Sequence, residues 1–202
     1  MSEQYFTSNP QSKSDPMTWT FTLKGNELTF TSDYGVFSKK EVDFGSRTLI
    51  DAFSLPNVQG DILDLGCGYG PVGIAIAKSF SERKVVFTDI NERALQLAEK
   101  NALQNNLNNV EFKKSDSLES FPNRKFSAIL LNPPIRAGKK TIYRMFDDSH
   151  KALAHDGELW VVIQKKQGAP SAQKKLEDLF GSVSLVTKNK GYYILCAKNI
   201  DV

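Results

Sequence analysis

The sequence predicts an α/β chain: a doubly wound, mostly parallel sheet of seven strands with an antiparallel edge hairpin, preceded by a small N-terminal hairpin-plus-helix extension. Three observations carry that reading. From Asp61 onward, short apolar runs alternate with helical stripes, the rhythm of a parallel sheet joined by crossover helices. A glycine-rich turn, Asp64–Leu65–Gly66–Cys67–Gly68–Tyr69–Gly70, stands between the first of those runs and its helix. The last two runs are separated only by Lys188–Gly191, too short for a crossover, so they must pair antiparallel.

Taken in order, residues 1–17 are polar, carry Pro10 and Pro16, and read as a loosely ordered arm. Residues 18–60 read as a hairpin and helix packed on the core: Thr18–Leu23 and Glu27–Thr31 alternate around Lys24–Gly25–Asn26, and a helix from about Phe44 to Ser54 follows with Asp43 as N-cap. Residues 61–202 read as the core itself. Its strands are Ile62–Leu65, Lys84–Thr88, Val110–Lys113, Ala128–Leu131, Glu158–Gln164, Val183–Thr187 and Tyr192–Ala197. Its helices are Pro71–Phe80, opened by proline at the first turn, Asn91–Leu107 with Asn91 as cap, Thr141–Ala154, and one near Ser171–Phe180.

The 202 residues suit one α/β domain, and the apolar runs, typified by Leu159–Ile163, fall far short of the roughly 20 residues that span a bilayer. MSEQYFTSNP has neither a basic nor an apolar leader region, and Cys67 and Cys196 form no CxxC pair or disulfide framework, so a cytoplasmic chain with reduced thiols is expected. No Cys/His cluster has ligand spacing, and no metal is expected. The net charge of +3 says little, but residues 136–175 hold nine basic groups and four acidic ones, leaving the rest of the chain at −2. That polarity is compatible with a phosphate-facing side.

The glycine turn discriminates among ligands. A nicotinamide or flavin site uses GxGxxG to present helix amides to a pyrophosphate, whereas here GxGxG runs straight into Pro71 and follows an acid, Asp64. A carboxylate is a poor neighbour for phosphate and suits a ligand with a cationic end, such as the amino group of S-adenosylmethionine (SAM). Asp89, closing Val85–Thr88, stands where an acid accepts both hydroxyls of an adenosine ribose, and Asp116 in Ser115–Asp116–Ser117 is placed to accept from an adenine amino group. Cys67 has no base near it in sequence and reads as a small residue fitting the turn.

The strand Ser127–Leu131 runs directly into Asn132–Pro133–Pro134–Ile135. Two prolines fix the backbone and free Asn132 to project at the sheet's carboxyl edge. Methyl transfer to a planar nitrogen calls for this: acceptors on the Asn132 side chain and Pro133 carbonyl bind the two N–H groups of an exocyclic amine and favour its pyramidalisation. No strong general base is needed, because the proton leaves after the nitrogen has become cationic.

DLGCGYG, FTDIN and NPPI together resemble class I SAM-dependent methyltransferases acting on amino nitrogens, with a Rossmann-like fold. YFTSNP, GVFSKKEVDFGSRTLI and NPPIRAGKK resemble more closely the bacterial small-domain branch of 16S ribosomal RNA guanine-N2 methyltransferases. The resemblance implies methyl transfer from SAM to guanine N2 in ribosomal RNA, with ribosomal RNA or a ribosomal subunit as partner and a monomer favoured. NPP turns in this superfamily also serve adenine-N6 and protein glutamine methylation, and a SAM-binding RNA module without turnover is the alternative of another class. Better-studied members of the family it resembles carry a second, degenerate methyltransferase-like domain, which is not expected here, and Ile135 stands where an aromatic ring often stacks the target base. The expected catalytic set is Asn132, Pro133 and Pro134; the cofactor set is Asp64, Gly66, Cys67, Gly68, Gly70, Asp89, Ile90, Asp116, Ser117 and Asn132. Phe37 is the candidate stacking ring beside Ile135, and Arg136, Lys139, Lys140, Lys165 and Lys166 are the candidates for backbone phosphates around an extruded base.

Overall fold

The computed structural model describes residues 16–33 and 41–200. Two strands, β1 (Met17–Leu23) and β2 (Asn26–Ser32), form an antiparallel hairpin, and α1 (Phe44–Ala52) follows. The core then runs β3 (Ile62–Leu65), α2 (Pro71–Ser79), β4 (Val85–Asp89), α3 (Glu92–Gln104), β5 (Val110–Lys114), β6 (Phe126–Leu131), α4 (Lys139–Ala152), β7 (Leu153–Gln164), α5 (Ala169–Phe180), β8 (Val183–Asn189) and β9 (Tyr192–Lys198). The seven-stranded sheet has the order β5-β4-β3-β6-β7-β9-β8; β9 pairs antiparallel with both β7 and β8, and the other neighbours are parallel. The strand order reverses between β3 and β6, so a crevice opens at their carboxyl ends.

Alternation along each strand feeds two cores. Ile62, Val85, Phe87, Ala128 and Leu130 face α1, α2, α3 and the hairpin, whereas Leu63, Leu65, Val86, Ile129 and Leu131 face α4 and α5. Leu23, Leu28, Phe30, Leu49 and Ile50 belong to the first of these cores, so the hairpin and α1 share their packing with the sheet. Both hairpins turn on two residues with positive φ, Lys24–Gly25 and Lys190–Gly191, which match the twist of the flanking strands. The Lys24 ammonium donates to the carbonyls of Ile50 and Phe53 at 3.2 and 2.9 Å, tying the first turn to the end of α1.

No strand pairs with the outer edge of β2 among the described residues; Asn101 of α3 and Asn105, which caps its end, take that place. Asn101 accepts from the Thr31 N–H at 2.7 Å and donates to its carbonyl at 2.8 Å, and Asn105 does the same for Thr29 at 2.9 and 2.8 Å. Asn101 also donates to the Tyr69 carbonyl at 2.9 Å, so one buried amide links the hairpin to the glycine turn.

Several boundaries differ from the sequence expectation. The helix expected over Thr141–Ala154 is Lys139–Ala152, and the strand expected from Glu158 begins at Leu153. His155–Asp156–Gly157 looks like a turn by composition, and Asp156 does take φ 63°, but the backbone stays paired: Asp156 donates to the Asn199 carbonyl at 2.7 Å and Asn199 to that of Gly157 at 2.8 Å. The strand passes through a register shift against β6 rather than ending. The helix α5 opens at Ala169 rather than Ser171, because Gly168 in a left-handed conformation caps it and Pro170 fits its first turn.

Candidate active site

The carboxyl ends of β3, β4 and β6 and the starts of α1, α2 and α4 surround one cavity of about 540 Å3. Its floor is the glycine turn. Gly66, Gly68 and Gly70 have φ of 72°, 58° and 90°, values that a side chain would strain. The N–H groups of Gly66 and Cys67 both donate to the Thr88 carbonyl at 2.9 Å, which lashes the turn to β4. At Gly68 a Cβ would meet no atom within 4 Å, and at Gly66 only Met145 at 3.8 Å; the space these glycines leave is cavity, not packing. Gly70 does not line the cavity. There a Cβ would come within 3.0 Å of the Ala98 Cβ, so this glycine serves close packing of the turn on α3.

Two carboxylates stand under the turn. Asp64 is 3% exposed and accepts from the Gly73 N–H at 2.7 Å; burial pushes it up to about 7, the Gly73 N–H opposes that rise, and the Asp89 charge adds to it. Asp89 is also raised by burial, against the N–H groups of Asn91, Gly68 and Ile90. Its two oxygens accept from Asn91 and Gly68 at 2.8 and 2.9 Å, which aims the carboxylate from the end of β4 into the cavity. Gly73 has no substitute: a Cβ there would lie 2.3 Å from the Phe87 ring and 2.9 Å from the Asp64 carboxylate. Cys67 lines the cavity, but burial and the charges of Asp89 and Asp64 hold its thiol well above its ordinary range, so it stays protonated.

On the opposite wall, Asn132, Pro133, Pro134 and Ile135 follow β6. The Asn132 Nδ2 donates to Ser46 Oγ at 3.0 Å and approaches Asp43 Oδ1 at 3.4 Å. Asp43 is the N-cap of α1, accepting from the Ser46 N–H at 3.0 Å. Among the described residues no donor reaches the Asn132 Oδ1 or the Pro133 carbonyl, leaving two acceptors.

The structure thus gathers Asp64, Gly66, Cys67, Gly68, Asp89, Ile90, Asp116, Ser117, Asn132, Pro133, Pro134, Ile135 and Arg136 around one cavity. Lys139, Lys140, Lys165 and Lys166 are exposed and do not line it. Phe37 lies outside the described residues. Arg144, which the charge distribution placed among phosphate-facing groups, instead grips both oxygens of Asp116 and reaches Glu119 at 3.5 Å; Lys175 pairs with Asp147 at 2.7 Å. Ser117 donates to Asp148 at 2.7 Å. Sequence reasoning missed Asp43, Ser46, Thr141, Gln167 and Tyr192, all on the cavity wall. Asp43 and Ser46 carried a signal only as a helix start, and nothing local marks Tyr192, whose ring packs at 5.5 Å from Phe44.

Among the described residues no group of three or more His, Cys, Asp or Glu is arranged to hold a metal ion, and no helix is long and apolar enough to cross a membrane. The family model described as methyltransferase small domain matches residues 27–196. YbxB of Bacillus subtilis (strain 168) is 54% identical over 99% of this chain and 100% of its own length. Ribosomal RNA large subunit methyltransferase G of Psychromonas ingrahamii is 33% identical over 82% of this chain and 44% of its own, and ribosomal RNA small subunit methyltransferase C of Vibrio cholerae is 32% identical over 87% and 51%. The chain therefore spans about half the length of those ribosomal RNA methyltransferases. In fold it is similar to the T. thermophilus 16S rRNA N2 guanine methyltransferase RsmC solved with AdoMet and guanosine, with a TM-score of 0.81 and 23% identity over 91% of this chain and 50% of that one. With the family model covering residues 27–196, on a seven-stranded Rossmann-like sheet, the chain belongs to the methyltransferase small-domain family.

Proposed function

We propose that this chain transfers a methyl group from SAM to an exocyclic base nitrogen of RNA, guanine N2 in ribosomal RNA. The observation that carries the reading is the convergence of a buried carboxylate, a half-buried one and an amide, Asp64, Asp89 and Asn132, on a single cavity at the strand-order reversal. The residues present fit SAM. Open glycine backbone at Gly66 and Gly68 admits close approach, Asp64 suits the cationic amino end, Asp89 suits the ribose hydroxyls, and Ile90, Asp116 and Ser117, lining the same cavity, suit an adenine ring. When bound, SAM supplies an electrophilic methyl on a sulfonium centre. The chain's own work is to hold the nucleophile. Asn132 Oδ1 and the Pro133 carbonyl accept the two N–H groups of the target amine, concentrating its lone pair on nitrogen and fixing its direction. The cationic product sheds its proton to water, so Cys67, kept protonated, takes no part.

The choice of RNA is supported by exposed cations beside the cavity: Arg136 at its lip, Lys139 and Lys140 opening α4, and Lys165 and Lys166 in the turn after β7. The choice of ribosomal RNA is supported by the likeness to ribosomal RNA methyltransferases G and C, and that of guanine N2 by the likeness in fold to the T. thermophilus 16S rRNA N2 guanine methyltransferase. The test is methylation of total ribosomal RNA from a strain lacking the protein, with tritiated SAM and nucleoside analysis of the digest. N2-methylguanosine is expected. N6-methyladenosine in its place would overturn the base assignment, and label in ribosomal protein alone would overturn RNA as substrate.

A further inference from the structure

The segment Asp43–Phe44–Gly45–Ser46 reads in the sequence as a helix start, yet the fold places it against Asn132, 86 residues away for Ser46. An asparagine amide has two nearly isosteric ends, an oxygen that only accepts and an NH2 that only donates, and half a turn about χ2 exchanges them. Asp43 Oδ1 only accepts, so the end of Asn132 that faces it is the NH2 group; the reversed rotamer would oppose an amide oxygen to a carboxylate oxygen. Ser46 Oγ, 3.0 Å from the same Nδ2, completes the seat, and Asp43 is itself fixed by the Ser46 backbone N–H. Gly45 leaves room for the arrangement. A Cβ there would lie 3.0 Å from the Tyr192 ring and 3.1 Å from Asp43 Oδ1, so a side chain would press the ring and the carboxylate apart by a few tenths of an ångström.

We infer that Ser46 and Asp43 are positioning residues that set the rotamer of the Asn132 amide, presenting Oδ1 rather than NH2 to an amine in the cavity. This rests on the reading of Asn132 as the acceptor of the target N–H. With the seat removed, the amide samples both rotamers, and in the wrong one a donor faces a donor. The loss falls on the oriented amine, not on SAM, whose candidate carboxylates lie on β3 and β4.

Ser46→Ala removes the hydroxyl and keeps the backbone N–H that Asp43 caps. With tritiated SAM and ribosomal RNA from a strain lacking the protein, Ser46→Ala is expected to lower kcat about tenfold. SAM affinity and the KM for RNA should stay within about twofold, and Ser46→Thr should recover most of the lost rate. In an Asn132→Ala background, Ser46→Ala should cost nothing further. An activity-independent readout is the side-chain amide resonance of Asn132, identified by its loss in Asn132→Ala: its hydrogens should exchange slowly in the natural protein and faster in Ser46→Ala. Unchanged exchange, an unchanged kcat, or an additive loss in the double variant overturns the inference. If exchange responds as expected but the natural protein methylates no base amine, the proposed function fails and the positioning stands. Should Ser46→Ala fold poorly, Ser46→Cys, which keeps the volume but accepts weakly, carries the same test.

Discussion

Replacing Asp64 by asparagine should make the protein more stable and a worse binder of SAM, with both effects depending on pH. Asp64 is buried under the glycine turn, with its pKa raised from 3.8 to about 7. A carboxyl raised on folding contributes stability that is complete below its unfolded value, near pH 4, and is lost as pH rises through about 7. The ionised form thus costs the cofactor-free protein at most about 4 kcal/mol above pH 8, at 1.36 kcal/mol for each pH unit between the two values. Asp89 and Cys67 face the same space, and the Asp89 charge acts in the same direction. Asparagine keeps an oxygen for the Gly73 N–H and removes the charge. Scanning calorimetry of both proteins without SAM should show nearly equal midpoints near pH 3.5 and a gain for Asp64→Asn that grows towards pH 8.5, reaching up to about 10 °C for a chain of this size. Titration calorimetry at pH 8 should show SAM affinity reduced at least about tenfold, the cationic amino end having lost its counter-charge. A midpoint difference that does not grow with pH, or a less stable Asp64→Asn at pH 8.5, would refute the argument that burial of this charge is a cost held for ligand binding.

Asn101→Leu should destabilise the chain by about 3 kcal/mol in urea unfolding, because the Thr31 N–H and the carbonyls of Thr31 and Tyr69 lose their partner together. Since Tyr69 belongs to the glycine turn, SAM affinity should fall with it; an unaltered unfolding midpoint would count against the asparagine edge as the anchor of the hairpin. Lys165→Ala combined with Lys166→Ala should leave SAM binding unchanged and flatten the dependence of log K on log salt for RNA by about 1.4, the value for two single-strand phosphate contacts. Retention of the full slope in a filter-binding assay would remove these two lysines from the RNA path.

Much of the site is legible because its signals are local. Asp64, Gly66, Gly68 and Asp89 follow from strand ends and a turn whose backbone needs glycine, and Asn132 follows from two prolines closing a buried strand. The boundary at Leu153 was not legible: His155–Asp156–Gly157 has turn chemistry, while the pairing that keeps it in the sheet comes from Asn199, more than forty residues on. The charges tell the same story. Arg144 and Lys175 count as two cations in composition, but α4 and α5 bring them to Asp116 and Asp147, and they are used up in ion pairs.

Apolar periodicity, glycine turns and proline stops act over a few neighbouring residues, so the α/β class, the order of the core elements and the residue types of the candidate site follow from the sequence alone. Which of those residues share a cavity, the packing of Gly70 on α3 and the meeting of Asp43 and Ser46 with the amide of Asn132 emerge with the folded chain. Those outcomes depend on distances between segments far apart in the chain. Burial raises Asp64, and the opposed ends of one amide select a rotamer, only once folding has brought the partners within a few ångströms.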